Sequence, residues 1–200
     1  MKSLVVDNFL PYPNVVRSWA LSQEYFDSNQ FSERYKITTS WPGIRTDHVM
    51  DMDLSYANVI LSQVSMLAQN FSNKPAAIKS YFQICTEDDG DSWIHQDNDV
   101  DLAAILYLSP NAPPTSGTSL FRCNDYRAWQ NLDIKTMMQI NRVEAKDLYD
   151  NLFTPIDTFG NVYNRLVMYR GDEFHKSNDY FGKGKDDGRL TQVFFLTFEK

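Results

Sequence analysis

His95, Asp97 and His175 are the residues of this chain whose types and positions best suit metal chemistry. The 200-residue sequence contains three histidines, and the third is His48. His95 begins a His-x-Asp pair, and His175 ends a strand-like run that starts near Asn164. Two imidazoles and one carboxylate can bind one face of a divalent metal ion and leave the opposite positions open. The sequence therefore predicts a metal centre at these three residues.

The spacing of the His-x-Asp pair is that of alternate residues on a β-strand. Side chains at positions i and i+2 share a face, so His95 and Asp97 would face the metal and Gln96 would face away. The third ligand must then come from a neighbouring strand, and the alternation over 166–170 predicts one that leads to His175. The facial triad of non-haem Fe(II) oxygenases uses this ligand set. Since a His-x-Asp pair alone is common, the prediction depends on its conjunction with the later residues.

Arg189 is the later basic residue, and it opens the last apolar run of the chain. A guanidinium group can bind a carboxylate through two parallel hydrogen bonds. Thr191 would face the same side of the strand and could donate another. The two residues could hold the far carboxylate of 2-oxoglutarate, whose keto acid end chelates iron. The structural alternative is an arginine that only caps a strand after the polar loop 182–188.

The chain resembles the 2-oxoglutarate- and Fe(II)-dependent dioxygenases. It is most similar to the prolyl-4-hydroxylase-like group and to small oxygenases of bacteria and phages. The matching segments cover about the C-terminal half of the chain, and two shorter ones precede them. In order, these segments are residues 4–11, 41–46, 93–97, 103–109, 117–121, 165–175 and 188–191.

The resemblance implies a mostly β fold with N-terminal helices, the double-stranded β-helix or jelly roll. It implies that His95, Asp97 and His175 bind Fe(II) and that Arg189 binds 2-oxoglutarate as the cosubstrate, with ascorbate as an optional addition. The implied reaction is a hydroxylation that releases succinate and CO2.

The resemblance also implies a tyrosine that donates a hydrogen bond to the cosubstrate carboxylate. Tyr81 is the first candidate because it precedes the His-x-Asp pair on a predicted strand, and Tyr107 is the second. An ordinary tyrosine of an amphipathic strand would fit the position of Tyr81 equally well.

Three departures argue against a prolyl substrate. Peptidyl-proline hydroxylases usually carry an arginine shortly after the His-x-Asp pair, whereas residues 98–104 are acidic and contain none. The turn at 116–118 differs as well, and Arg189 stands where prolyl hydroxylases mostly use lysine. A protein residue, a free amino acid, a nucleobase or a small metabolite all remain as substrates. The acidic segment favours a neutral or basic one.

Two rival functions remain on the same fold. A redox-inactive jelly-roll binding module would bind no iron. A zinc-dependent hydrolase could use the same three ligands, but it would need a general base near an open metal position. Glu173 is the only candidate for that role in the sequence.

Composition sets the remaining bounds. Hydrophobic residues make up 42% of the chain, which is typical of a globular protein. The net charge of −7 argues against diffuse binding to nucleic acid or to an anionic membrane. No apolar run is long enough for a membrane helix, no signal peptide is evident, and Cys85 and Cys123 make no disulfide framework. We expect a cytoplasmic enzyme of a bacterium or a phage-infected host cell, acting on a small molecule or a peptide.

The predicted layout is one oxygenase domain over 1–200, in which helical support over 1–75 precedes a β-helix core over 76–200. A first strand at 4–9 and helices at 13–26 and 54–71 flank a polar loop at 27–53. Short strands are predicted around 41–43 of this loop, and residues 41–45 are predicted to form a structural turn. Arg45 could instead reach the site and bind an acidic substrate group. A helical insertion is predicted near 142–152. The later strands are predicted at 78–85, 92–97, 102–108, 118–123, 163–169, 172–176 and 189–198.

Overall fold

Two antiparallel sheets form the centre of the protein, which is described by a computed structural model over residues 2–37, 40–90, 92–97, 99–130 and 151–199. The larger sheet has six strands in the order β1-β7-β4-β9-β3-β2, and the smaller has three in the order β6-β5-β8. The strands are β1 Ser3–Val6, β2 Ile44–Arg45, β3 Pro75–Cys85, β4 Leu102–Tyr107, β5 Thr118–Cys123, β6 Phe153–Phe159, β7 Leu166–Arg170, β8 Phe174–Ser177 and β9 Arg189–Phe198.

Alternation along the strands of the larger sheet separates two buried layers. On β4, Ala103, Ile105 and Tyr107 pack against Leu120 and Phe159 of the smaller sheet. The even-numbered residues of β4 face the helices instead, together with Phe194 of β9. Because both faces are covered, every residue of β4 is buried. Odd-numbered residues of β9, Arg189 included, therefore point into the space between the sheets.

Helices cover the outer face of the larger sheet. The helix α4 buries Ala57, Ile60, Val64 and Ala68, whose spacing places them on one side of the helix. No helix within the described residues is long and apolar enough to cross a membrane. The helices are α1 Pro13–Ser22, α2 Ser28–Tyr35, α3 Val49–Met52, α4 Leu54–Ala68 and α5 Tyr126–Gln130.

The prediction of a loop over 27–53 was wrong in one respect, because α2 and α3 form within it. The helix α2 buries only Phe31, so its hydrophobic period is too weak to be detected. Its capping box was the available signal. Asp27 accepts hydrogen bonds from the first turn, and Gln30 reaches back to the Asp27 amide.

Two other segments differ from the sequence prediction. Residues 92–97 do not form a strand; a single backbone bridge joins His95 to His175. The strand β6 was not predicted at all, and only Phe153 and Phe159 of its residues are buried. The predicted helical insertion near 142–152 lies, up to residue 150, outside the described residues.

Asn164 ties the N-terminal segment to the sheet. Its side chain accepts a hydrogen bond from the Leu10 amide and donates one to the Leu10 carbonyl, both at 2.8 Å. Its backbone is left-handed, with φ of 63°, a conformation that asparagine tolerates better than most residues.

We predict that Asn164→Ala lowers the free energy of unfolding by about 2–4 kcal/mol, because two buried backbone groups lose their partners. Urea denaturation measures this change. Asn58→Ala, at an exposed position of α4, is the control and should change stability by no more than about 0.5 kcal/mol. Equal stability of the two variants would contradict this role of Asn164.

Candidate metal centre

A backbone pair places the two predicted histidine ligands side by side. The His95 amide donates to the His175 carbonyl at 3.0 Å, and the His175 amide donates to the His95 carbonyl at 2.8 Å. Residues paired in this way in antiparallel strands project their side chains to the same face. The two imidazole rings consequently lie with their centroids 4.4 Å apart.

Asp97 completes the group from the loop that leads into β4. Its amide donates to the Gly171 carbonyl at 2.8 Å. A side chain at Gly171 would collide with the Val100 carbonyl oxygen, because its Cβ would lie 2.3 Å away. The turn before β8 therefore requires glycine to let the Asp97 loop approach closely.

The three side chains converge on one point. The Asp97 carboxylate lies 3.7 Å from His95 Nε2 and 3.5 Å from His175 Nε2. One ligand atom from each residue lies within 4.8 Å of the others. In the described part of the chain, no other group of three His, Cys, Asp or Glu residues has this geometry.

Backbone carbonyls hold both imidazoles in the orientation that a metal requires. His95 Nδ1 lies 2.9 Å from the Trp93 carbonyl oxygen, and His175 Nδ1 lies 2.9 Å from that of Glu173. A carbonyl can only accept a hydrogen bond, so each Nδ1 carries the proton when the ring is neutral. Each Nε2 then presents its lone pair, as in many histidine metal sites.

The electrostatics of the site favour the deprotonated forms of His95 and Asp97. Burial lowers the pKa of His95, and the adjacent His175 lowers it further. Burial alone would raise the pKa of Asp97, but the hydrogen bond and charge of His175, followed by His95, lower it overall. A neutral imidazole and an ionised carboxylate are the forms that bind metal ions.

A cavity of about 590 Å³ opens on this group, and His95, Asp97 and His175 line it. Small-molecule sites commonly have volumes of roughly 300–1,000 Å³. Tyr81, one of the predicted cosubstrate residues, also lines the cavity. The space is therefore large enough for a cosubstrate and a substrate to lie beside the metal ligands.

Arg189, Thr191 and Tyr107 form a buried group that is not among the described residues lining the cavity. Arg189 Nε donates to the Ser116 carbonyl at 2.8 Å, and its Nη2 donates to the Gly117 carbonyl at 3.3 Å. Its guanidinium carbon lies 5.5 Å from the Tyr107 ring centre and 5.9 Å from that of Tyr180. Since Tyr180 also lines the cavity, it connects this group with the cavity wall.

The remaining histidine, His48, does not join the metal ligands. Its Nδ1 accepts a hydrogen bond from the Met50 amide at the start of α3, at 2.9 Å. The structure gives it the role of a helix cap.

The sequence prediction did not assign Trp41, Gln83, Trp93 or Tyr180 to the site, although all four line the cavity. Arg45 lines it as well, in agreement with the alternative that it reaches the site. The sequence contained a signal for Gln83, because residues 81 and 83 of a strand share a face and Tyr81 was already a candidate. Nothing in the sequence distinguishes Tyr180 from other loop tyrosines.

The solved structures to which this chain is similar include 2-oxoglutarate oxygenases. HygX of Streptomyces hygroscopicus, with nickel and 2-oxoglutarate bound, aligns at 14% identity and a TM-score of 0.65, over 98% of this chain and 83% of that one. A Pseudomonas putida prolyl-4-hydroxylase aligns at 14% identity and a TM-score of 0.55, over 100% and 94%. A Trichoplax adhaerens prolyl hydroxylase, in complex with a hypoxia inducible factor peptide, aligns at 12% identity and a TM-score of 0.60, over 98% and 83%.

These likenesses confirm the double-stranded β-helix that the sequence predicted. The chain belongs to the family of unknown function DUF6445, whose model matches residues 1–196. No curated protein matches it.

We predict that Asp97→Ala abolishes Fe(II) binding and leaves the fold intact, because a partly exposed ligand is removed and no core volume is lost. Anaerobic titration with Fe(II), with circular dichroism as the check on folding, measures both effects. Native affinity in the folded variant would refute the assignment of Asp97 as a ligand.

His48→Ala should retain Fe(II), whereas His175→Ala should lose it. The His48 variant should lose its helix cap and the contact of Nε2 with the Ile78 carbonyl at 3.3 Å, together about 1–2 kcal/mol of unfolding free energy. The opposite pattern in an iron titration would mean that the distal ligand has been chosen wrongly.

Proposed function

We propose that this protein is an Fe(II)- and 2-oxoglutarate-dependent dioxygenase that hydroxylates its substrate and releases succinate and CO2. The observation that carries the proposal is the convergence of His95 Nε2, His175 Nε2 and the Asp97 carboxylate at the wall of a cavity. The known structures add support, since HygX structures contain nickel with 2-oxoglutarate or iron.

The residues present fit Fe(II). Two imidazole nitrogens and one carboxylate oxygen are the ligand set of oxygenases that keep open metal positions. The carbonyls of Trp93 and Glu173 fix the rings that would hold the metal. When bound, iron with 2-oxoglutarate supplies the oxidative chemistry, while the protein supplies orientation and a site shielded from water.

Arg189 is proposed to hold the far carboxylate of 2-oxoglutarate, with Thr191 and Tyr107 as neighbouring donors. Tyr81 is proposed as a more distant donor, because it pairs opposite Val193, four residues further along β9. Arg189 is 2% exposed, and no carboxylate of the described residues lies within 4.0 Å of it. A buried cation without an anionic partner is costly. The carboxylate of a cosubstrate that reaches Arg189 beside Tyr180 would supply that partner.

The whole chain is proposed to act as one oxygenase domain, in which residues 1–75 support a core over 76–200. The family model spans nearly all of it. The pairing of β1 with β7 and of β2 with β3 gives further support, because the N-terminal part contributes strands to the larger sheet.

The zinc hydrolase alternative receives less support. Its candidate base, Glu173, pairs with Lys2 at 3.4 Å and is not among the described residues that line the cavity. The site uses the Glu173 backbone carbonyl and not its carboxylate. The metal-free binding module would leave the orientation of both imidazoles without a role.

Anaerobic reconstitution with Fe(II) and 2-oxoglutarate tests the proposal. We expect the metal-to-ligand charge-transfer absorbance of an Fe(II) chelate of 2-oxoglutarate, followed by succinate release when oxygen is admitted. A protein that binds no iron would support the binding module. One that binds zinc, shows no such band and releases no succinate would support the hydrolase.

Arg189→Ala should retain iron but lose affinity for 2-oxoglutarate by about 30-fold or more, because a buried charge pair loses one partner. Arg189→Lys should not restore the affinity, since a lysine cannot reproduce the two parallel hydrogen bonds. Titration of the charge-transfer band measures both variants.

Arg170→Ala, at an exposed pair with Asp172, is the matched control and should bind 2-oxoglutarate normally. Iron affinity and a urea melt check that Arg189→Ala is folded, because the Ser116 and Gly117 carbonyls also lose a donor. Unchanged titration curves for folded Arg189→Ala would mean that another residue holds the cosubstrate.

A further inference from the structure

Arg45 is a second cation between the sheets, and it lines the same cavity as the metal ligands. On β2 it lies opposite Gln83 of β3, which lies opposite Thr191 of β9. Residues directly opposite in antiparallel strands share a face. Arg45 therefore belongs to the inward-facing row that runs across the larger sheet.

The guanidinium group of Arg45 is held in one orientation. Its Nε and Nη2 both donate to Gln83 Oε1, at 3.1 and 3.0 Å. Gln83 is fixed in turn, because its Nε2 donates to the Pro42 carbonyl at 2.8 Å. The guanidinium carbon lies 4.4 Å from the Trp41 ring centre and 5.5 Å from that of Phe195. Such a preorganised group loses little freedom when it binds a ligand.

The charge of Arg45 has no ionic partner in the parts of the chain that the structure describes. None of their carboxylates lies within 4.0 Å of it. Desolvation by the cavity walls lowers its pKa to about 10, so it stays charged at neutral pH. A neutral donor would satisfy the Gln83 oxygen equally well. The positive charge is therefore available to a negatively charged group of a ligand that enters the cavity.

The proposed cosubstrate does not need this charge. A divalent metal and Arg189 together balance Asp97 and the two carboxylates of 2-oxoglutarate. Besides Arg45 and Asp97, the charged side chains of the described lining are Lys79 and Asp99. Both are exposed, at the rim of the cavity. Arg45 is then the uncompensated charge in the interior of the cavity.

The walls next to Arg45 are aromatic. Trp41 and Phe31 pack edge to face with their ring centres 5.0 Å apart, and Phe31 lies 5.9 Å from Tyr81. Tyr81 lies 6.5 Å from Phe195. All four rings line the cavity. A ligand that reaches Arg45 is therefore surrounded by apolar ring faces and edges.

We propose that the substrate is a small carboxylic acid with an apolar body, whose carboxylate binds Arg45 while the body lies against the aromatic wall. The proposal rests on the proposed oxygenase function, because it takes the molecule that binds beside 2-oxoglutarate to be the substrate. It differs from the preference for neutral or basic substrates suggested by the acidic segment, because Asp99 lies at the rim whereas Arg45 lies inside.

Matched acid and amide pairs test the proposal. The probes are 3-phenylpropanoate against 3-phenylpropanamide, and N-acetyl-L-leucine against its amide. Calorimetry measures their binding to the anaerobic protein with Fe(II) and saturating 2-oxoglutarate. We expect at least one acid to bind about 30-fold more tightly than its amide. Arg45→Met should abolish this preference and change 2-oxoglutarate affinity by less than about threefold.

Lys79→Met is the matched control, because it removes a cation from the rim of the same cavity, and it should keep the preference. Arg45→Lys is the second variant in case Arg45→Met does not fold. It retains the charge without the planar fork, so a reduced preference should remain. Retention of iron by each variant shows that the site is formed.

Three results would overturn the proposal. The first is a wild-type protein that binds neither acid more tightly than its amide. The second is an Arg45→Met variant that still binds the acid more tightly than the amide. Arg45→Met could also weaken 2-oxoglutarate as much as Arg189→Ala does, which would make Arg45 the cosubstrate anchor. Failure of the oxygenase proposal is seen separately, as a wild-type protein without the charge-transfer band. The acid and amide comparison on the metal-free protein then judges Arg45 alone.

Discussion

Two reciprocal backbone hydrogen bonds between His95 and His175 are the constraint on which the rest of the site depends. They join the loop before β4 to the strand β8, and so they connect the larger sheet with the smaller one. An antiparallel pair of this kind fixes both the separation and the direction of its side chains. The carbonyls of Trp93 and Glu173 then select the ring nitrogen that faces the cavity. The main chain thereby orients the two histidines proposed as ligands, and Asp97 needs only the close approach to Gly171 to complete the group.

The division of the larger sheet into two faces explains why such a site is stable in a chain of this size. Even-numbered residues of β4 and β9 pack under the helices and form the main core. Odd-numbered residues face the smaller sheet, and Arg189 and Thr191 are among them. Because the helices bury the other face, the interior between the sheets can hold desolvated charges whose cost is offset by the core. Arg189 and Arg45 both lie on this inner face, and neither forms an ion pair with a carboxylate of the described residues.

Much of this arrangement could be predicted from the sequence, and its failures have physical causes. The period of two along 166–170 indicated β7, and the spacing of Ile60 and Val64 indicated α4. The strand predicted at 92–97 was wrong because one backbone pair with His175 suffices to orient His95, and the hydrogen bond to Gly171 places Asp97. A His-x-Asp pattern is the same for a strand and for a single bridge. The position of Arg45 in the cavity follows from the pairing of β2 with β3, which is a long-range contact that no local pattern encodes. For the same reason the sequence could not indicate that Arg189 lies beside Tyr180 and is not among the described residues that line the cavity.

The central claim is that one metal ion is held by His95, Asp97 and His175, and a crystal structure of the protein grown anaerobically with Fe(II) and 2-oxoglutarate tests it most directly. Anomalous scattering at the iron edge locates the metal without reference to the surrounding density. The account predicts one peak, bonded to Nε2 of both histidines and to the Asp97 carboxylate, with the cosubstrate on the cavity side. A peak bonded to other residues, or coordination through Nδ1 of either ring, would contradict it.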